Sequence, residues 1–379
     1  MSKTILLALI GGEPTGNYRA YKEFGPSLLI HVYSKKTKEI SDRILTLVDK
    51  EKTQIIEVLV EGDNYFENLQ KLNELPITLS MDDFMNINVT GGTKIMSLAA
   101  VDYGKLLQEK CNVSFLYTEI ESQKIHWFYE NRSETFCDDL ELEEYIALAG
   151  QKIKSKENYI ELKNRFDNSL EEIHDVLKVS YKRKKFQDFL SSFVREVSKK
   201  KENAIYKQKK IVNFYNECTE KIQKKGFSIE WTDSLFRVYL KDEIYLDLDQ
   251  SIEDIDWFIF NTGWFELITA EKLAKKYPEN DIYMNVKFPL LKKLELDKNE
   301  VDILIVQNGK LIFVECKSGI VMPNEINSIK VRQETYGGIG AKNLLITRFD
   351  LADGKHDSDK IVIEKCKDLK IEVKSYNSL

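Results

Sequence analysis

The sequence predicts an α/β protein of two sheet-containing units, residues 1–145 and 226–379, joined by a helical connector over 146–225. Three observations predict it. Over the first 150 residues, short apolar runs alternate with amphipathic stretches. A charged, helix-patterned segment without a proline follows, from Leu142 to Lys225. Strand signals then return beyond Gly226.

In the first unit, apolar runs give strands at residues 3–10, 27–33, 53–60, 86–89, 112–117 and 125–129. Helical patterns at 38–50, 65–75 and 93–110 separate them. Strands alternating with helices imply parallel pairing through right-handed crossovers, hence a doubly wound sheet. Ligands of such sheets bind outside the carboxyl ends of the strands. Two glycine-rich turns fall on that rim, Gly11-Gly12-Glu13-Pro14-Thr15-Gly16 and Thr90-Gly91-Gly92. The second unit reads as a helix near 263–276, a run of strands over 282–312, a helix at 324–335 and a strand at 342–347.

At 379 residues the chain suits two domains. Its net charge of −6 is uneven: residues 178–210 carry twelve Lys/Arg against Asp188, Glu196 and Glu202. That stretch, with Lys182, Arg183, Lys184 and Lys185 at its head, reads either as a solvated helix face or as a nucleic-acid phosphate surface. Five scattered cysteines without a Cys-x-x-Cys pair exclude a zinc knuckle or disulfide framework and suit a reducing cytoplasm. The apolar run Thr4 to Ile10 is too short to span a bilayer, so no membrane partner is expected.

The chemistry concentrates in the segment from Glu300 to Lys317. Two apolar runs flank Asn308-Gly309, a strong hairpin signal because a type I′ turn needs positive φ at both positions. That turn sets Gln307 against Lys310, Leu304 against Phe313 and Asp302 against Glu315. The two carboxylates would then oppose each other with Cβ atoms about 5 Å apart. Lys317, two residues on, shares the face of Glu315. Opposed carboxylates need neutralising, and oxygen ligands suit Mg²⁺ or Mn²⁺, with the Cys316 carbonyl as a further ligand. A surface salt bridge is the alternative. The apolar character of both hairpin faces and the clustering of polar groups at one end favour a buried site.

The spacing Asp302-x12-Glu315-x-Lys317 resembles the PD-(D/E)xK nuclease superfamily, with Val301 where that motif has proline. The resemblance covers Gly263 to about Thr347 and implies a restriction-endonuclease-like α/β fold. It also implies a preceding helix with one more acid, matched by Glu266, and metal-dependent cleavage of DNA or RNA. The following run Gln333-Glu334-Thr335-Tyr336-Gly337-Gly338 also fits this branch, with Gln333, Tyr336 and Lys342 as weaker site candidates.

The first unit lacks Gly-x-Gly-x-x-Gly and a Walker A lysine, which argues against nicotinamide or nucleoside-triphosphate binding. Its Asn88-Val89-Thr90-Gly91-Gly92-Thr93-Lys94 runs a strand into a helix N-terminus, a potential anion site. Together with the first glycine turn it resembles the CRISPR-associated Rossmann-fold (CARF) sensor domain, over roughly residues 1–145. That resemblance implies a Rossmann-like sheet binding cyclic oligoadenylates made by type III CRISPR complexes. Gly11, Gly12, Glu13, Pro14 and Thr15 would line the ring from the first loop, and Thr90, Gly91, Gly92, Thr93 and Lys94 from the second. Ser34 and Lys35 are less secure, and His31 reads as a core histidine. The pairing of both units is similar to effectors in which cyclic tetra-adenylate, held by a homodimer, switches on cleavage. A ligand-sensing transcription regulator and a non-catalytic nucleic-acid-binding protein are the competing readings.

Overall fold

The computed structural model describes residues 2–166 except 138, and 227–379 except 232–234, 241–242, 250–256, 259–261, 291–292, 339 and 354–356. The basic stretch with Lys182, Arg183, Lys184 and Lys185 lies outside the described residues. The N-terminal sheet holds β1 (Thr4–Leu9), β2 (Leu28–Tyr33), β3 (Gln54–Leu59), β4 (Phe84–Asn88), β5 (Asn112–Glu119), β6 (Lys124–Trp127) and β7 (Arg132–Thr135). Their order is β3-β2-β1-β4-β5-β6-β7, with the first five parallel and the last two antiparallel. Helices α1 (Thr15–Phe24), α2 (Lys38–Leu47), α3 (Tyr65–Asn73) and α4 (Lys94–Leu107) cover its faces. β2 is buried at every residue and β1 at all but Thr4, which explains their unbroken apolar runs.

The sequence pattern missed α1. Its stripe is polar, yet Asn17 and Arg19 are buried, so no apolar period marks it. The helix starts immediately after the first glycine turn, where Glu13 Oε1 accepts from the Thr15 N–H at 2.9 Å.

His31 is a core histidine, as its apolar strand implied: it is 1% exposed, with Nδ1 2.8 Å from Ser41 Oγ. Burial, reinforced by the Lys38 charge, pushes its pKa down from 6.5 to about 3. The unfolded chain therefore takes up this proton near pH 6.5, whereas the folded one does not until about pH 3. Stability from this residue is complete above 6.5 and is lost as pH falls, by about 2 kcal/mol at pH 5. Denaturant unfolding at pH 7 and pH 5 checks this. His31→Asn should shrink the difference, and an unchanged difference would remove His31 as its cause.

The C-terminal sheet has the order β16-β15-β14-β13-β12-β8. It comprises β8 (Ser155–Asn158), β12 (Ile282–Leu290), β13 (Lys293–Gln307), β14 (Lys310–Lys317), β15 (Lys342–Thr347) and β16 (Ile371–Ser375). A separate three-stranded sheet joins β9 (Phe227–Trp231), β10 (Leu235–Leu240) and β11 (Glu243–Asp249). Helices α6 (Gly263–Leu273), α7 (Pro323–Tyr336) and α8 (Asp357–Asp368) pack on the larger sheet, while α5 (Leu142–Leu148) belongs with α2. β8 falls inside the stretch read as helical connector. Its sequence, SKEN, has no strand pattern of its own; pairing with β12 and the Asn285–Glu157 hydrogen bond hold it.

One apolar core joins the two units. Leu6, Ala8, Tyr18, Leu45 and Ile146 meet Val286, Phe288, Leu304, Phe313 and Tyr336. The N-terminal unit is thus packed directly on the strands that carry the catalytic candidates.

Candidate functional site

The hairpin β13–β14 has the expected register, Gln307↔Lys310 through Leu304↔Phe313 to Ile303↔Val314. Asn308 and Gly309 have φ of 46° and 73°, as a type I′ turn requires. The ladder stops one pair short of Asp302 and Glu315. There the strands part, and Asp302 Oδ2 accepts instead from the Cys316 N–H at 2.7 Å. The parting turns a sheet pair into a notch floored by carboxylates.

Glu315 is buried and held by two cations. Lys317 Nζ stands 3.0 Å from Oε1, and Arg332 of α7 bonds Oε2. Lys317 also pairs with Glu325 at 3.2 Å. Burial acts against the Lys317 charge, but Glu315, Glu325 and Asp302 outweigh it and push its pKa up. Burial, then the Glu315 charge, push Asp302 up to about 7, against the Cys316 N–H, Lys317 and Arg332. Glu266, in the first turn of α6 and 6% exposed, is pushed well up by burial and by the charges of Asp302, Glu300 and Glu315. Burial, and then the charges of Asp302, Glu266 and Glu315, push the Cys316 thiol well up. Acids that raise one another's pKa at close range suit an oxygen-ligated divalent cation, and here Lys317 and Arg332 already offset the Glu315 charge. Among the described residues, no three His, Cys, Asp or Glu side chains form a ready metal nest, because Arg332 and Lys317 hold both Glu315 oxygens.

The weaker candidates stand elsewhere. Gln333 faces β15: its Nε2 donates to the Ala341 carbonyl, and its Oε1 accepts from Lys330 and Asn343. Tyr336 is a core residue, stacked on Phe288 at 3.8 Å with its hydroxyl accepting from Asn299. Lys342 starts β15 opposite Ile312, at the turn end of the hairpin, and lines a cavity of about 220 Å³ with Lys272, Lys276 and Lys374. Sequence reasoning missed Arg332, the neighbour of Gln333. Adjacent helical residues point about 100° apart, so only contact with β14 tells which one reaches the acids. Arg348 was missed too; it is 6% exposed, and its N–H donates to the Lys317 carbonyl at 3.0 Å.

At the carboxyl edge of the N-terminal sheet the two glycine turns interlock. A Cβ on Gly91 would lie 2.1 Å from the Leu9 carbonyl oxygen and 2.7 Å from the Gly11 nitrogen, and one on Gly11 2.9 Å from the Gly92 nitrogen. Buried Asn17 binds the Leu9 carbonyl and accepts from Asn88, tying both turns to α1. Nothing in the residue order marks that pair. Thr93 caps α4, accepting from the Met96 N–H at 3.2 Å and donating to the Gly62 carbonyl. Ser34 lies beside Gly62, so the ends of β1, β2, β3 and β4 meet here. Exposed Lys94 opens the 14-residue helix α4.

Other candidates turn inward. Pro14 and Thr15 are buried, and Glu13 caps α1 with one oxygen while the other lies near Gly338 of the second unit. The Thr90 hydroxyl is spent on Asn88 and Thr118. Lys35 is exposed, 3.8 Å from Glu61. The surface open to a ligand is therefore Gly11, Gly12, Gly91, Gly92, Thr93 and Lys94, with Ser34 and Gly62 at its side.

Residues 18–145, about a third of the chain, match the family model for the Card1 CARF domain. Comparison with curated proteins gives no match. Among solved structures, Can2 from Sulfobacillus thermosulfidooxidans in complex with cyclic tetra-adenylate superposes with a TM-score of 0.63 at 21% identity, over 98% of this chain and 95% of that one. Protein VC1899 from Vibrio cholerae gives 0.66 at 14% identity, over 99% and 94%. A type III CRISPR defence DNA nuclease activated by cyclic oligoadenylate gives 0.52 at 13% identity, over 92% of this chain and 45% of that one. The chain shares the mixed α/β architecture of Can2, a Rossmann-like sheet followed by a mixed-sheet unit, and spans less than half the length of the DNA nuclease. Among the described residues, no helix is long and apolar enough to cross a membrane.

Proposed function

We propose that the chain is a type III CRISPR ancillary effector, a metal-dependent endonuclease switched on by cyclic tetra-adenylate. The observation that carries the nuclease reading is the convergence of Glu266, Asp302, Glu315 and Lys317 where the hairpin opens. Asp302 and Glu315 would hold Mg²⁺ or Mn²⁺. The Cys316 carbonyl, on the strand residue whose N–H meets Asp302, would add a third oxygen ligand. When bound, the cation supplies Lewis-acid polarisation and charge neutralisation at the phosphate. Glu266, buried against the same acids, would contact the cation or its water. Lys317 places a positive charge where negative charge develops in the transition state. Arg332 must leave Glu315 Oε2, and phosphate is the group it would then meet.

The sensor reading rests on the interlocked glycine turns beside the free N–H groups of α4. The helix dipole, backbone N–H donors and Lys94 suit the phosphates of a cyclic oligonucleotide, and a two-fold homodimer would present the rim twice to a two-fold ring. A transcription regulator has no use for a buried carboxylate notch, so that reading falls behind.

The test is incubation with Mn²⁺, DNA and RNA of both strandedness, and cyclic oligoadenylates of different ring size. Cleavage should appear with the tetra-adenylate. Lys94→Glu, remote from the notch, should lower ring affinity by at least about tenfold, because reversal places a carboxylate at a helix N-terminus facing phosphates. Calorimetric affinity beside cleavage rate is the measurement, and a parental affinity would move the sensor site away from this loop.

A further inference from the structure

The turn of the catalytic hairpin is held by the other unit. The Gly309 N–H donates to Asp139 Oδ2 at 2.8 Å. Lys310 Nζ reaches the Glu121 carbonyl at 3.1 Å, and the Gln123 amide lies so close that a Cβ on Gly309 would come within 2.0 Å of it. The other Asp139 oxygen is equally engaged, accepting from Arg19 Nη1 at 2.8 Å, the Tyr145 hydroxyl at 2.9 Å and the Leu140 N–H at 2.8 Å. These hydrogen bonds outweigh burial and hold the carboxyl below its ordinary pKa.

Arg19 gives this contact direction. It is 3% exposed, lies 4.2 Å over the Phe136 ring and sits on α1, the helix that begins at the first glycine turn. Asn17, two residues earlier on that helix, bonds the Leu9 carbonyl and Asn88. Helix α1 thus ties both turns to the guanidinium that holds Asp139. From Gly309 the hairpin ladder runs without a register shift to Ile303↔Val314, the pair before the acids. Five residues of strand span about 17 Å. A ladder of this kind moves as one piece.

We propose that Asp139 is a positioning residue that transmits the state of the ring-binding turns, through Arg19, to the catalytic hairpin. This rests on the ring-activated nuclease reading. It adds a polar link, beside the shared apolar core, whose arrangement the ring would bias.

The experiment uses the full chain and Asp139→Ala. Three quantities are measured: calorimetric affinity for cyclic tetra-adenylate, kcat and KM for Mn²⁺-dependent cleavage with and without the ring, and amide exchange over residues 309–314. The variant should bind the ring within about twofold of the parent and keep its KM for nucleic acid. Its ring-stimulated kcat should fall by at least about tenfold. Exchange at 309–314 should quicken even without ring, and the ring should no longer change it. Parental stimulation, or parental exchange in the ring-free variant, overturns the proposal. Alanine removes the carboxylate beside the buried Arg19 guanidinium, which is costly. If that variant does not fold, the double variant Arg19→Met/Asp139→Ala removes the buried cation as well and is judged by the same outcomes. A parent that cuts nothing sinks the nuclease reading alone, because ring-free exchange still decides whether Asp139 holds the hairpin.

Discussion

Asp302→Asn and Glu315→Gln are each expected to lower cleavage by about 10²–10³-fold or more while leaving cyclic tetra-adenylate affinity unchanged. Amides are the right replacements. Glu315 is buried between Lys317 and Arg332, so alanine there would remove the group both cations share and confuse lost chemistry with lost folding. The two variants should differ in stability. Burial and the Glu315 charge push Asp302 up to about 7, well above the ordinary aspartate. Ionising it therefore disfavours the folded state, and that penalty grows as pH rises from about 4 to 7. Asp302→Asn should accordingly raise the unfolding temperature at pH 8 in EDTA, a stabilisation achieved at the expense of activity. EDTA should also abolish parental cleavage. Full activity in excess chelator would sink the metal mechanism, and an active Asp302→Asn would move the chemistry off the hairpin.

Gly91→Ala should be the most damaging single-methyl change on the rim proposed to bind the ring. Its Cβ would sit 2.1 Å from the Leu9 carbonyl oxygen and 2.7 Å from the Gly11 nitrogen. Both are backbone atoms, so no rotamer relieves the clash and the two turns must separate. Overpacking of this kind costs about 1–3 kcal/mol, and here it also opens the surface that meets the ring. Ring affinity should fall by about a hundredfold, with a lowered unfolding temperature. Gly12→Ala is the control for the fold, since nothing lies within 4 Å of a Cβ there, and its unfolding temperature should match the parent. Calorimetry and thermal unfolding of both variants decide the matter. Equal effects at the two glycines would mean that the turns do not depend on their close approach.

What could be read from residue order is what neighbouring residues impose on one another. Asn308-Gly309 demands positive φ twice, and from that turn the register of the hairpin follows by counting. The apolar runs of β1 and β2 mark strands covered on both faces, and Thr93 marks the start of α4. The position of the acids near the open end of the hairpin was legible for the same reason. Counting failed at the last step. It pairs Asp302 with Glu315, whereas the strands have already parted and Asp302 takes the Cys316 N–H.

The remainder depends on residues far apart in the chain. Arg332, 17 residues after the acid, reaches Glu315 because α7 is seated on β15 with Gln333 held at Ala341 and Asn343. β8 is a strand because β12 offers it an edge, and α1 is a helix because its polar stripe finds partners at Leu9, Asn88 and Asp139. Lys342 belongs to the turn end of its strand, since β15 enters the sheet opposite Ile312. Local sequence encodes torsion preferences and periodicity, which act over a few residues. Which buried polar groups satisfy one another depends on chain segments brought together by the apolar core shared between the two units, and that core forms only when the whole chain folds.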